Sequence, residues 1–295
     1  DLGVQKPLVE LHERFAREGR DFWTGYMHVP ITTVASLEHS LLFAQSNDYV
    51  WHEVVTAQGE EAKLARLRDP EWRRRGRHSW DHEAIKISPF PAPQATVLDN
   101  SANEAGPIGI TLGEYAERLG VHCSDALAEW FLRNGVDSTV TLPPWPKDEE
   151  MVVRLIKDPK SVGNISDAGA HGQMFCGSGY NVMLFSHFVR ESGSITIEEA
   201  VHVQTGQLAR HFGLADRGEI AVGKRADLTV FNLQEVEMRP QQKVYDVPDG
   251  RGGHTWRWTR EPAPVRLTLV DGIPTFEDGK FTSARPGRML APSAP

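Results

Sequence analysis

The spacing of apolar residues changes character once along this chain, near residue 215, and that change limits the architectures open to it. Before the change, helical periods alternate with short apolar runs. Residues 6–19 place Leu8, Leu11 and Phe15 on one helical face, and Gly19 stands where a helix would stop. Residues 21–29 follow at once as a buried-strand candidate. Helix, glycine, strand is the rhythm of an α/β protein. Thr111, with Glu114 three residues on, makes a capping box for a helix over 112–119. Ser124-Asp125 opens a second helix that closes near Asn134-Gly135, and a third spans about 148–156. Residues 162–167 read as a short strand running into a Gly-rich turn, with helices after it over about 180–191 and 196–209. Beyond Gly213 the pattern is one of strands: residues 218–231 read as two strands joined by a glycine turn. Residues 265–276 read as a hairpin, because Asp271-Gly272 is a strong tight-turn pair.

Between residues 30 and 110 the periodicity weakens. A helix is expected over about 60–75, and Ser88-Pro89-Phe90-Pro91-Ala92-Pro93 is a break. A long irregular stretch between framework elements reads as an insertion. Arg73-Arg74-Arg75-Gly76-Arg77 reads as a solvated helix end.

At 295 residues, one large or two smaller domains fit. The net charge of -8 argues against nucleic-acid binding, which needs a basic face. No run approaches the roughly 20 apolar residues that cross a bilayer. Two cysteines, Cys123 and Cys176, suit free thiols in a reducing, cytoplasmic setting and cannot build a thiolate metal cluster. The chain opens on Asp1 with no initiating Met, and a fragment is expected.

Asp167 is the leading candidate for chemistry. It ends an expected strand and is followed by Ala168-Gly169-Ala170, small residues that let a ligand approach the backbone. In parallel α/β folds, sites assemble beyond the strands' C-terminal ends. An Asp that only caps the turn is the structural alternative. His171 could touch substrate or stand behind a metal ligand, and His28 ends the earlier strand and points toward the same crevice; a loop histidine is the plain alternative for both. No His-x-His or His-Glu-x-x-His spacing occurs. Gly177-Ser178-Gly179 lacks the Gly-x-Ser-x-Gly of a nucleophile elbow and reads as a loop, and Cys176 reads as an inert thiol.

Three stretches together resemble the amidohydrolase superfamily, in its branch of D-aminoacylases and other N-acyl-D-amino-acid deacylases. They are Ile165-Ser166-Asp167-Ala168-Gly169-Ala170-His171; residues 197–231, with Asp216-Arg217-Gly218 and Gly223-Lys224-Arg225-Ala226-Asp227-Leu228; and Val270-Asp271-Gly272-Ile273-Pro274 with Ala284-Arg285-Pro286-Gly287-Arg288. Leu64-Ala65-Arg66-Leu67-Arg68-Asp69-Pro70 is similar to part of that branch's long insertion. The resemblance implies an α/β fold: the C-terminal part of a metal-dependent (β/α)8 barrel over residues 1–214, with the insertion at about 30–110. Residues 215–295 would be the C-terminal share of a small β-sandwich domain. It also implies one or two divalent metals, zinc by preference, whose histidine ligands lie upstream of Asp1.

On this resemblance Asp167 is the catalytic carboxylate and a metal ligand, and His171 a substrate-binding group. The partner implied is a small N-acyl substrate, with neither nucleic acid nor membrane, and a homo-oligomer is compatible. The family's arginine soon after the Asp, which holds the substrate carboxylate, has no counterpart in residues 172–180; Gln173, Ser178 or Tyr180 are left to bind a head group. Deacylation of a linear amide is the leading expectation. A cyclic amidohydrolase, of the hydantoinase or dihydroorotase kind, and an inactive truncated barrel acting as an interaction module are the alternatives. The isolated 295 residues are expected to be inactive.

Overall fold

The frame that carries the candidate site rests on one short parallel pairing. In the computed structural model, which describes residues 5–38, 50–82, 93–142, 144, 147–162, 166, 168–169, 172–250 and 252–291, strand β1 (Thr24–Gly25) pairs parallel to β5 (Ser161–Val162), with Thr24 opposite Ser161. Parallel neighbours require a crossover, and here it contains residues 26–160. The helix Gln5–Arg17 leads into β1, and the helix Glu149–Lys157 leads into β5. Their apolar faces meet the helices that follow. Val9, Tyr26, Val152, Leu155, Ile156, Leu184, Phe188 and Val203 form one core.

Buried polar groups fix β5 in place. Gln207, 4% exposed, donates its side-chain amide to the carbonyls of Asp158 at 3.1 Å and Ser161 at 2.5 Å. The side chain of the same Asp158 is held as well, with His12 Nδ1 at 3.0 Å from its Oδ2. Buried backbone carbonyls need such partners, and the strand is too short to provide them all from its ladder.

The crossover carries a second core. Strands β2 (Thr33–Ala35), β3 (Val97–Asn100) and β4 (Thr139–Leu142) make an antiparallel sheet in the order β2-β4-β3. Trp51, Trp72, Trp130, Phe131, Leu98 and Leu112 are buried beside it. Trp51 donates its indole N–H to Ser124 Oγ at 3.1 Å and stacks edge-on against Trp72. The helix expected over 60–75 is two, Glu60–Arg68 and Pro70–His82, because Pro70 has no N–H to continue the first and its ring restricts Asp69 to an extended conformation. The arginine run lies inside the second of these helices, not at a solvated end. Arg73 pairs with Glu129, Arg74 with Glu71, Arg75 with Glu53 and Arg77 with Asp125. Elsewhere the capping box at Thr111 and Glu114 forms as expected. The helix expected over about 180–191 is a short 3-10 turn followed by a π-helix, Leu184–Glu191, and the one expected over 196–209 is two, Ile197–Gln204 and Gly206–His211.

Past residue 214 the regular structure of the described residues is all β. Strands β6 (Leu228–Phe231), β9 (Val265–Val270), β10 (Ile273–Glu277) and β11 (Lys280–Phe281) form a sheet in the order β11-β10-β9-β6. Asp271 and Gly272 turn the β9-β10 hairpin with φ of 54° and 79°, the left-handed pair that such a turn demands. Residues 218–227 are a loop, not a strand. Their charges explain it. Asp227 accepts from Arg217 at 2.5 Å and from the backbone N–H of Asp271 at 2.8 Å, while Arg225 bridges Asp216 and Asp271. The motif residues thus lock the loop onto the hairpin turn. Strands β7 (Gln241–Pro248) and β8 (His254–Arg260) make a separate two-stranded ribbon. Among the described residues, no helix is long and apolar enough to cross a membrane.

Gly218 has φ of 85°, and a Cβ there would stand 2.6 Å from Ala209 Cβ. Gly218→Ala should therefore cost about 1–3 kcal/mol, since overpacking adds to an unfavourable backbone conformation. Urea unfolding checks this; an unchanged midpoint would show that the loop relaxes freely.

Candidate functional site

The C-terminal ends of β1 and β5 open on the same side, as parallel strands must. From β1 the chain runs to His28, and from β5 it runs to Ser166, Ala168 and Gly169. Asp167 and His171, the residues singled out from the sequence, lie outside the described residues, as do 163–165 and 170. What the structure does give is the frame on either side of them.

That frame is tight. Gly177 is buried, and a Cβ on it would lie 2.1 Å from the Ser166 carbonyl oxygen and 3.0 Å from the Ala168 nitrogen. The backbone flanking Asp167 therefore rests directly on residue 177, and only glycine allows this approach. Ala168 N–H donates to Ser166 Oγ at 3.2 Å, an ST-turn that bends the segment.

Residues 172–178 are in turn held from two directions. Val34 N–H of β2 donates to the Met174 carbonyl at 2.7 Å. From the β7-β8 ribbon, Trp258 N–H donates to the Gly172 carbonyl at 2.6 Å. Arg260 donates from Nη2 to Cys176 O at 3.2 Å and from Nε to Ser178 O at 3.0 Å. A guanidinium suits this task, because its rigid fork reaches several carbonyls at once. The side-chain amide of Gln173 is committed to Thr255 Oγ1 and Trp256 O, both at 3.0 Å. Tyr180 is 4% exposed, and burial raises its phenol's pKa. Of the three head-group candidates, Ser178 alone is exposed. Cys176 is a buried free thiol, as expected for an inert one.

His28 is 2% exposed. Its Nε2 lies 3.1 Å from the Tyr180 carbonyl, which can only accept, so Nε2 carries the hydrogen and Nδ1 the bare lone pair. Nδ1 is buried with no hydrogen-bond partner among the described residues, and burial pushes the ring's pKa down to about 4. The imidazole is neutral at pH 7. Among the described residues, no group of three His, Cys, Asp or Glu side chains converges as a donor set. The described part of this chain does not hold a metal by itself.

Lys147, between a Pro-rich run and the helix Glu149–Lys157, and Arg260, on the ribbon, were not found by sequence reasoning. No spacing rule marks either, since what each faces is set by distant chain.

The amidohydrolase family model matches residues 61–276. An N-acyl-D-glutamate deacylase of Alcaligenes xylosoxydans xylosoxydans is 31% identical over 219 residues, covering 70% of this chain and 41% of that protein. A D-aminoacylase of the same organism is 32% identical over 111 residues, covering 38% of this chain and 20% of its own length. The crystal structure of a D-aminoacylase described as defining a novel subset of amidohydrolases superposes with a TM-score of 0.50 at 20% identity, over 98% of this chain and 46% of that one. That likeness bears on the fold alone. The chain spans less than half the length of these relatives. The matched span takes in the crossover from residue 61, β5 and the locked loop at Arg217–Asp227, so the chain belongs to the amidohydrolase family and matches its D-aminoacylase-like branch.

Proposed function

We propose that this chain is the C-terminal share of a metal-dependent hydrolase that removes the acyl group from an N-acyl-D-amino acid or a related linear N-acyl compound. The single observation that carries this is the cradle around the Ser166–Ala168 backbone, set at the C-terminal end of a strand in a chain of this family. The D-aminoacylase and N-acyl-D-glutamate deacylase among its relatives support the substrate class. In this reading β1 and β5 are the last two strands of a (β/α)8 barrel, residues 33–142 are set between them, and the sheet after residue 214 is one part of a small β domain.

Asp167 would accept the proton of the attacking water and hand it to the leaving amine, and His171 would contact the substrate. General acid-base work needs the carboxylate within hydrogen-bond reach of that water, and the seat of its flanking backbone on Gly177 supports this reading. A divalent ion, zinc in this proposal, would be held with ligands outside the described residues; when bound it lowers the pKa of water to about 7 and polarises the scissile carbonyl. Asp167 alone is too few ligands for a catalytic metal. The 295 residues by themselves are therefore expected to show no turnover.

The test is hydrolysis by the full-length protein of N-acetyl-D-amino acids, their L-enantiomers and a hydantoin. Release of acetate from the D-series, lost on chelation and restored by zinc, is expected. Ring opening of the hydantoin without acetate release would replace this reading with the cyclic one. Gly177→Ala should lower kcat by at least about tenfold, because displacing a catalytic group by a fraction of an ångström is costly. Unchanged kcat in a folded Gly177→Ala protein would mean that the cradle does not position the chemistry.

A further inference from the structure

Beside the strand ends lies a cleft of about 380 Å³ that the proposed chemistry does not use. Its walls come from the segment after β1, the entry to the helix Glu149–Lys157 and the π-helix Leu184–Glu191. They are largely apolar, with Pro30, Val152, Met183 and Phe188 lining it beside His28, and they include Glu149 and His187, which pair with each other. The volume falls within the range of small-molecule sites. Among the described residues, Lys147 is the one lysine or arginine that faces it.

Lys147 is half-buried, and its ammonium has no hydrogen-bond or ion-pair partner among the described residues. The nearby acids are spent elsewhere. Asp148 caps the helix by accepting from Met151 N–H at 3.2 Å. Glu149 meets His187 Nε2 at 3.3 Å, and Glu191 meets Nδ1 of the same ring at 3.3 Å. Partial burial pushes the Lys147 amine's pKa down, with no compensating carboxylate. Its charge also reaches His28, where it adds to the burial that keeps the ring neutral. A partly dehydrated cation without a partner is unfavourable, and an anion entering an apolar cleft relieves it.

We propose that this cleft is a carboxylate-binding site, in which Lys147 holds the carboxylate of a small ligand whose apolar tail packs against Val152, Met183 and Phe188. It extends the deacylase reading, since N-acyl amino acids carry a carboxylate and residues 172–180 contain no arginine to hold it. Two sources share the chemistry: the substrate's own carboxylate, or a separate small carboxylic acid.

The experiment is calorimetric titration of the full-length protein with 4-methylpentanoate, a carboxylate that cannot be hydrolysed, and with 4-methylpentanamide, its neutral counterpart. The acid should bind, the amide should bind at least about tenfold more weakly, and Lys147→Met should remove the difference. No binding of the acid, or equal binding of acid and amide, overturns the proposal, as does undiminished binding to a folded Lys147→Met protein. Should that variant not fold, the Lys147 amine can be followed by NMR in the wild type. Its pKa should rise on adding the acid, and an unmoved pKa overturns the proposal. Competitive inhibition of deacylation by 4-methylpentanoate assigns the site to the substrate; Lys147-dependent binding that leaves the kinetics untouched assigns it to a separate acid. Binding is read independently of turnover. Lys147-dependent binding in a protein that hydrolyses nothing would leave this site standing and remove the deacylase reading, and hydrolysis without such binding would do the reverse.

Discussion

The buried amide of Gln207 is the interaction on which the frame depends. By donating to the carbonyls of Asp158 and Ser161 it fixes the approach to β5 and its first residue, and β5 is only two residues long. Such a strand cannot hold its own register through two ladder positions. With it fixed, the parallel pairing to β1 sets the direction in which both strands open. Everything proposed about the site follows from that direction: Ser166 and its neighbours emerge on the same side as His28, beside the cleft that Lys147 faces.

The second constraint comes from far along the chain. The β7-β8 ribbon is two-stranded and would be marginal alone. It is held by its contacts with residues 172–178, and it holds them in return through Trp258, Gln173 and Arg260. Gly177 then transmits that hold to the Ser166–Ala168 backbone by direct contact. The all-β part of the chain is therefore tied to the candidate site rather than appended to the α/β part. This gives the locked loop at Arg217–Asp227 a purpose, because it fixes the sheet beside which the ribbon emerges.

Much of this was legible in the sequence where the signal is local. The capping box at Thr111, the hairpin turn at Asp271-Gly272 and the opening helix depend on neighbours within a few residues, and each was found. What was not legible depends on distant partners. Residues 241–260 do carry a turn signal, Pro248-Asp249-Gly250 followed by Gly252-Gly253, but no hairpin was read from it, and nothing local shows that the ribbon packs against the 172–178 segment. Residues 218–227 alternate like a strand, yet their charged side chains are satisfied by Asp271 instead of a ladder. The break at Pro70 is a local effect, yet the helix expected over 60–75 ran through it; the proline overrides the longer helical period. At the site, the importance of the Asp167 motif came from its place after an expected strand and from family resemblance. The role of Gly177 could not be seen, since a glycine within Gly-Ser-Gly looks like any loop until the backbone it touches is known.

The central claim is that Asp167 is the proton-transferring carboxylate this chain contributes. Asp167→Asn in the full-length protein tests it most directly, because the amide keeps the shape and cannot take a proton. Turnover of the best N-acyl substrate, measured with circular dichroism and metal content alongside, should fall by about 10²–10⁴-fold while the fold is kept. A folded Asp167→Asn protein that retains wild-type kcat would contradict the claim and move the chemistry to another residue.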